Sequence, residues 1–235
     1  MAEFRNTVLR NLDAAVIERL HLTPLQFERE HTFETPGEEI RHLYFIESGI
    51  GSMTTTFEDG SQIEVGMFGW ESVIGAAALM GTRKSLNNIY MQSPGNGYAA
   101  TTEAASKEFQ RGGRFHDLVL RYTQAQLMQA SQSAACNAFH PLQKRLARWL
   151  LLCHDRAESD VMNLTQEFLS YMLGVQRSTV SLEAEQLQHK GAISYNRAKV
   201  RIADRPLLES LSCECYAVLH EHLNNYDTIT TGFGA

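Results

Sequence analysis

Cysteine is scarce in this chain, with four in 235 residues and none before Cys136. That count excludes a disulfide-framed secreted domain, and the cysteine-free N-terminal region offers an iron–sulfur cluster no ligands. Cys136 and Cys153 fall inside helical patterns, where a small apolar residue would serve as well. Long hydrophobic runs are missing too. No stretch approaches the about 18 apolar residues of a membrane span, and MAEFRNTVLRNLDAAV is too polar for a signal peptide, so a cytoplasmic protein is expected. There is no P-loop, no HExxH and no set of nucleophile, base and orienting residue, which argues against an enzyme. A hydrophobic content of 43% carries no bias toward disorder, and the length suffices for two modest domains.

A net charge of −6 argues at first against nucleic acid, but the charge is unevenly placed. Residues 141–206 hold ten Lys/Arg and seven Asp/Glu, a balance of +3, leaving −9 on the rest. A basic module on an acidic body concentrates phosphate attraction in one place.

Within that module, LTQEFLSYMLGVQRSTVSL (164–182) predicts a helix, a tight turn and a second helix. Thr165 can cap the first helix, and Phe168, Leu169, Met172 and Leu173 recur at helical spacing. Gly174 tolerates the positive φ that ends a helix, and Val175 supplies an apolar plug. Gln176, Arg177, Ser178 and Thr179 then open the next helix with an amide, a guanidinium and two hydroxyls. These groups reach base edges and phosphates when a recognition helix enters the major groove N-terminus first. Val180, Ala184 and Leu187 fall on its inner face. Beyond Gly191, residues 192–195 start a strand, Asn196-Arg197-Ala198 turns the chain, and Lys199-Val200-Arg201-Ile202 alternates charge with apolar residues. The reading is a winged helix-turn-helix, with Arg197, Lys199 and Arg201 suited to flanking phosphates. An ordinary αα-hairpin with a solvated turn is the plainer alternative.

Upstream, residues 6–20 predict one amphipathic helix through Leu9, Leu12, Val16 and Leu20. Strand-like runs follow at 27–33, 42–46, 51–57, 62–68, 89–92 and 97–101, parted by turn signals such as Pro36-Gly37 and Asp59-Gly60. Short strands at close spacing predict a β-roll or jelly roll. After a short helix at 103–111 and the joint Gly112-Gly113, residues 115–139 form the longest helical stretch. It is rich in small residues (Ala125, Ala130, Ser131, Ala134, Ala135, Ala138), while Phe115, Leu118, Tyr122 and Phe139 follow a seven-residue seam. A core helix on its own roll and a dimer helix both fit this pattern. Two reading heads on a two-fold axis favour the dimer. A helix at 142–155 follows, with Leu146, Trp149, Leu150 and Cys153 placed to pack under the helix-turn-helix.

The order PGEEIRHLYFIESG, β-roll, long helix, AFHPLQKRLARWLLLC and LTQEFLSYMLGVQRSTVSLEAEQLQHKGAISY resembles the Crp/Fnr superfamily of transcription regulators over nearly the whole chain. The resemblance implies an α+β protein with an effector-sensing roll (1–114), a dimerisation helix (115–140), a winged helix-turn-helix (141–210), and a C-terminal helix with a flexible tail (211–235). It also implies a homodimer on palindromic promoter DNA, RNA polymerase as a further partner, and Gln176, Arg177, Ser178 and Ser181 at base-facing positions. Glu183 departs from the family, which has an apolar residue there.

The family's cyclic-AMP cassette corresponds here to VIGAAALMGTRKSLNN. Gly75 matches. Ala76 replaces the carboxylate that grips the ribose, the phosphate-pairing Arg-Ser becomes Lys84-Ser85 or a shifted Arg83, and the purine-facing hydroxyl pair on the long helix becomes Ala130-Ser131. Gly75, Arg83, Lys84, Ser85 and Ser131 are thus the candidate effector pocket, for a ligand other than cyclic AMP; a degenerate roll kept only as a dimer scaffold fits equally well. A cyclic-nucleotide-responsive regulator, or a small-molecule-binding β-barrel with an appended helical domain, is the alternative. Haem would need an axial ligand such as His31 or His42, each a lone strand histidine. Cys213-x-Cys215 with His220 and His222 is the one metal-like cluster. Residues two apart on a helix point to nearly opposite faces, so a tetrahedral site would need that segment to be non-helical; no metal or cofactor is expected.

Overall fold

The computed structural model describes residues 3–196 and 198–228. The N-terminal stripe splits into two helices, α1 (Thr7–Arg10) and α2 (Ala14–Leu20), where the periodicity predicts one. Polar side chains cause the break. The Asn11 side-chain amide turns back to the Thr7 carbonyl (2.8 Å), and Asp13 accepts from the Val16 N–H (2.9 Å) to start the second helix, so local capping outcompetes continuation.

The next eight strands form two antiparallel four-stranded sheets, ordered β1-β8-β3-β6 and β2-β7-β4-β5. They are β1 (Thr23–Phe27), β2 (Thr32–Glu34), β3 (His42–Ile46), β4 (Ile50–Thr56), β5 (Gln62–Phe68), β6 (Val73–Ile74), β7 (Asn88–Ser93) and β8 (Gly95–Thr101). The run expected at 27–33 is two strands, because Glu30 takes a φ of 67° in the turn between them. β6, two residues long, is too short to leave a periodic signal. Phe27, Leu43, Phe45, Ile46, Phe68 and Met91 are buried in the roll's core, and their burial drives the sheets together.

α3 (Thr102–Gln110), capped by Thr101, leads into α4 (Arg114–Phe139). α4 buries Phe115, Leu118, Val119, Tyr122, Ala125 and Gln129, and Gln129 Oε1 accepts from the Met67 N–H of β5 (3.0 Å). Phe115, Leu118 and Tyr122 therefore serve the chain's own core, while Phe139, the fourth residue of the expected seam, is exposed. The exposed stripe of α4 is another one: Leu120, Gln124, Leu127, Ser131, Ala134 and Ala138, spaced three, four or seven apart.

Pro141 starts α5 (Leu142–Arg156), followed by β9 (Val161–Asn163), α6 (Gln166–Leu173), α7 (Arg177–His189), β10 (Ile193–Asn196), β11 (Lys199–Ile202), α8 (Arg205–Leu211) and α9 (Cys215–Asn225). β9 adds a third strand to the expected hairpin, in the order β10-β11-β9. α9 packs on α4 and α5, and beyond it the Tyr226 hydroxyl donates to the Glu71 carbonyl (2.7 Å). Most of the tail expected to be flexible lies, from residue 229, outside the described residues. No helix among the described residues is long and apolar enough to cross a membrane.

Candidate nucleic-acid interface

Thr165 caps α6, its hydroxyl accepting from the Phe168 N–H (3.0 Å). Gly174 ends that helix at a φ of 64°. A Cβ there would stand 2.9 Å from Ile63 Cδ1 of β5, so the turn of the helix-turn-helix rests directly on the roll. Val180, Ala184 and Leu187 bury one face of α7. The other end of the helix is open. Gln176 at the N-cap makes no side-chain cap bond, and Gln176, Arg177, Ser178 and Thr179 are all exposed, at the helix end whose free N–H groups favour phosphate.

Ser181 behaves differently from its neighbours. Its hydroxyl is half-buried and bonds Gln166 Oε1 (2.6 Å) and the Arg177 carbonyl (3.0 Å), so in this conformation it ties α7 to the entrance of α6. Glu183, the departure from the family pattern, accepts from Gln143 Nε2 of α5 (3.1 Å), replacing an apolar contact by a polar one. In β11, Lys199 and Arg201 point outward while Val200 and Ile202 are buried. Arg197 lies outside the described residues. Sequence reasoning missed Tyr195, whose hydroxyl donates to the Leu164 carbonyl (2.9 Å) and pins the wing to the start of α6.

α5 is shared between the reading unit and the roll. Leu146, Trp149, Leu150 and Cys153 are buried as expected, and the Trp149 ring meets Phe168 of α6. Yet Trp149 Nε1–H donates to Glu64 Oε1 of β5 (2.7 Å), and Gln92 Nε2 lies 3.6 Å from Cys153 Sγ. Arg156 forms an almost fully buried ion pair with Glu71, Nη2 to Oε1 at 2.6 Å.

Of the candidate effector residues, Gly75 and Ser85 come together on Glu34, while Arg83, Lys84 and Ser131 do not join them. Gly75 (φ 91°) lies so close to β3 that a Cβ would meet the His42 carbonyl oxygen at 2.5 Å. Its N–H and the buried Ser85 hydroxyl both donate to the Glu34 carboxylate, and burial raises the pKa of that carboxyl. Arg83 and Lys84 are exposed, with Lys84 bridged through its backbone to Glu39. Ser131 is exposed on α4. His31 packs among Phe27, Phe33 and Tyr44. His220 pairs with Asp155 (3.1 Å), and His222 is exposed; Cys213 and Cys215 lie instead beside Cys136 and His140.

Residues 144–211 match the Crp-like helix-turn-helix domain. The global nitrogen regulator of Nostoc sp. is 24% identical over 186 residues, 75% of this chain and 83% of that protein. FixK2 from Bradyrhizobium japonicum has the same fold, with a TM-score of 0.70 at 16% identity over 82% of this chain and 98% of that one. A CRP-family transcriptional regulator from Thermus thermophilus gives 0.69 at 21% identity, covering 80% and 96%. Residues 144–211 form a Crp-like helix-turn-helix domain, and the whole chain has the fold of solved Crp/Fnr-family regulators.

Proposed function

We propose that the chain works as a homodimer that reads a palindromic promoter site with the first turn of α7 and steadies itself on flanking phosphates with Arg197, Lys199 and Arg201. The observation that carries this reading is the row Gln176, Arg177, Ser178 and Thr179. All four are exposed at the open end of a helix whose opposite face is buried, an arrangement suited to entry into the major groove. The exposed stripe of α4 is the surface on which two copies would meet, its alanines allowing close backbone approach; two heads would then lie about one DNA turn apart. The working parts are the roll (1–114), the dimerisation helix (115–140), the reading domain (141–210) and the C-terminal segment (211–235). RNA polymerase is the expected partner on the promoter, the cytoplasm is the expected compartment, and no catalytic step is assigned.

Cyclic AMP is disfavoured as the effector. Ser85, at the phosphate-pairing position, has its hydroxyl engaged by Glu34, as is the neighbouring Gly75 N–H, and Ala76 provides no ribose acceptor. A cyclic-nucleotide-responsive regulator would require Glu34 to leave that position.

The test is binding to an operator selected from random duplexes. Arg177→Ala should cost ~1 to 3 kcal/mol per half-site and flatten discrimination at one base pair. Lys199→Ala should weaken all sequences alike and lower the salt slope by about one. Wild-type affinity in both variants across salt concentrations would show that this face does not read DNA.

A further inference from the structure

Cys136 and His140 lie one turn apart at the C-terminal end of α4, and so share a face. The turn between α8 and α9 brings two more thiols to them. Cys213 precedes α9 in non-helical backbone and Cys215 is the first residue of that helix. The helical geometry that would send two residues of a Cys-x-Cys to opposite faces therefore does not apply here. The ligand atoms of Cys136, His140, Cys213 and Cys215 all lie within 4.8 Å of one another. Cys136 Sγ is 3.6 Å from Cys213 Sγ, and Cys215 Sγ is 3.6 Å from His140 Nδ1.

We propose that these four side chains form a Cys3His site for a single thiophilic divalent ion, Zn2+ in the cell. Zn–S bonds of about 2.3 Å and Zn–N bonds of about 2.0–2.1 Å at tetrahedral angles hold sulfur ligands about 3.8 Å apart, and a sulfur and a nitrogen about 3.6 Å apart. The two separations above match these edges. A multi-iron cluster would hold its sulfurs further apart than a single ion does, and a disulfide would bring two of them to about 2 Å.

The surroundings fit the same ion. His140 presents Nδ1 to the thiols while its other nitrogen, Nε2, lies 3.3 Å from Glu214 Oε1. That is the carboxylate–histidine arrangement that fixes a ligating tautomer. Gln132 Nε2–H donates to Cys215 Sγ (3.0 Å). The three cysteines are buried and form a small core cluster of their own, away from Cys153. His140 is also the C-cap of α4, next to Pro141. The ion would clip the last helix to the joint between α4 and α5.

The experiment uses the full-length protein, reduced and stripped of metal, titrated with Co2+ and then Zn2+. One equivalent of Co2+ per chain should bind with the intense visible bands of tetrahedral thiolate coordination, and Zn2+ should displace it stoichiometrically. Cys153→Ser should keep the bands. Cys136→Ser and His140→Gln should weaken or lose them, and Glu214→Gln should reduce Zn2+ affinity roughly 10–100-fold. The wild-type titration stands even if a variant fails to fold. Absence of the thiolate bands from the reduced wild type, or bands lost equally in Cys153→Ser, would overturn the site. So would a Cys136–Cys213 disulfide that persists under reducing conditions at which Zn2+ is offered.

Discussion

Glu34 shows how one side chain can redefine a pocket. Its carboxyl group takes the N–H of Gly75 and the hydroxyl of Ser85, and so fills from within the protein hydrogen bonds that a cyclic phosphate would need. A nucleotide must displace it and still lacks a ribose acceptor at Ala76. Two such losses at ~1 to 3 kcal/mol each move a micromolar site by one to several decades. Calorimetry on the wild type should find cyclic AMP binding near or beyond the millimolar range; a low-micromolar dissociation constant, with operator affinity rising on nucleotide addition, would refute this. Gly75 and Ser85 were legible in the sequence as members of a cassette. Glu34 was not, since it lies 51 residues from Ser85 and a single polar contact between a strand and a distant loop leaves no periodic trace. The Thr165 cap, by contrast, is a local signal and was read correctly. Its removal in Thr165→Ala should cost about 1 kcal/mol in urea unfolding.

Among the elements, α5 carries the link between the roll and the reading domain, and Glu64 is its titratable contact. Glu64 faces Ser52 on β4, Tyr90 and Gln92 on β7, and Trp149, Cys153, Arg148 and Arg156 on α5. Desolvation in this buried position raises its pKa from 4.5 to about 7 despite bonds from Ser52 and Trp149 and the two arginines. The Ser52 hydroxyl lies 2.7 Å from Glu64 Oε2 and 2.8 Å from Gln92 Oε1. One hydroxyl between two acceptors has one proton to give, so Ser52 can satisfy Glu64 or Gln92 but not both at once.

A carboxyl whose folded pKa lies above its unfolded value contributes stability that is whole below the unfolded pKa and lost as pH rises through the folded one. The gap from 4.5 to about 7 corresponds to about 3 kcal/mol. Between pH 5 and 8, Glu64→Gln should flatten that part of the stability profile, raising Tm at pH 8 by roughly 6 to 12 °C relative to wild type. Thermal melts at both pH values decide it: an unchanged slope would show that Glu64 ionises in the folded state as freely as in water. The helix-turn-helix itself was legible because capping residue, apolar period and Gly174 agree locally. Its seat on Ile63 was not, because nothing local to α6 specifies which strand will face it.

At the scale of the molecule, α4 has two faces with different tasks. The seam expected through Phe115, Leu118 and Tyr122 is filled by the chain's own roll, because large buried side chains pack wherever apolar surface is nearest. The face left over is smaller and includes Leu127 at 67% exposure and Ala134. Ala134→Glu should give monomers by sedimentation equilibrium, since a close-packed two-fold contact would bring like charges together. An unchanged dimer would rule out this face.

The Glu71–Arg156 pair makes the roll and α5 interdependent in a second way. Glu71→Ala leaves a buried guanidinium without its partner and should lower stability by about 3 to 5 kcal/mol, read as a shift in the urea midpoint. A shift below about 1 kcal/mol would mean that water or another group replaces the carboxylate.

The residues that follow α9 have a bearing on how the protein is made. Tyr226 reaches Glu71, while Asp227 takes a bond from the Asn11 side chain at 2.9 Å and pairs with Arg10 at 3.3 Å. α1 is thus completed by a segment synthesised 216 residues later. A nascent chain can pair its strands but cannot close the core around α1 and Glu71 until α9 has cleared the exit tunnel. Chains stopped short of Tyr226 should therefore stall as open intermediates with the roll exposed, the species that chaperones hold and proteases cut.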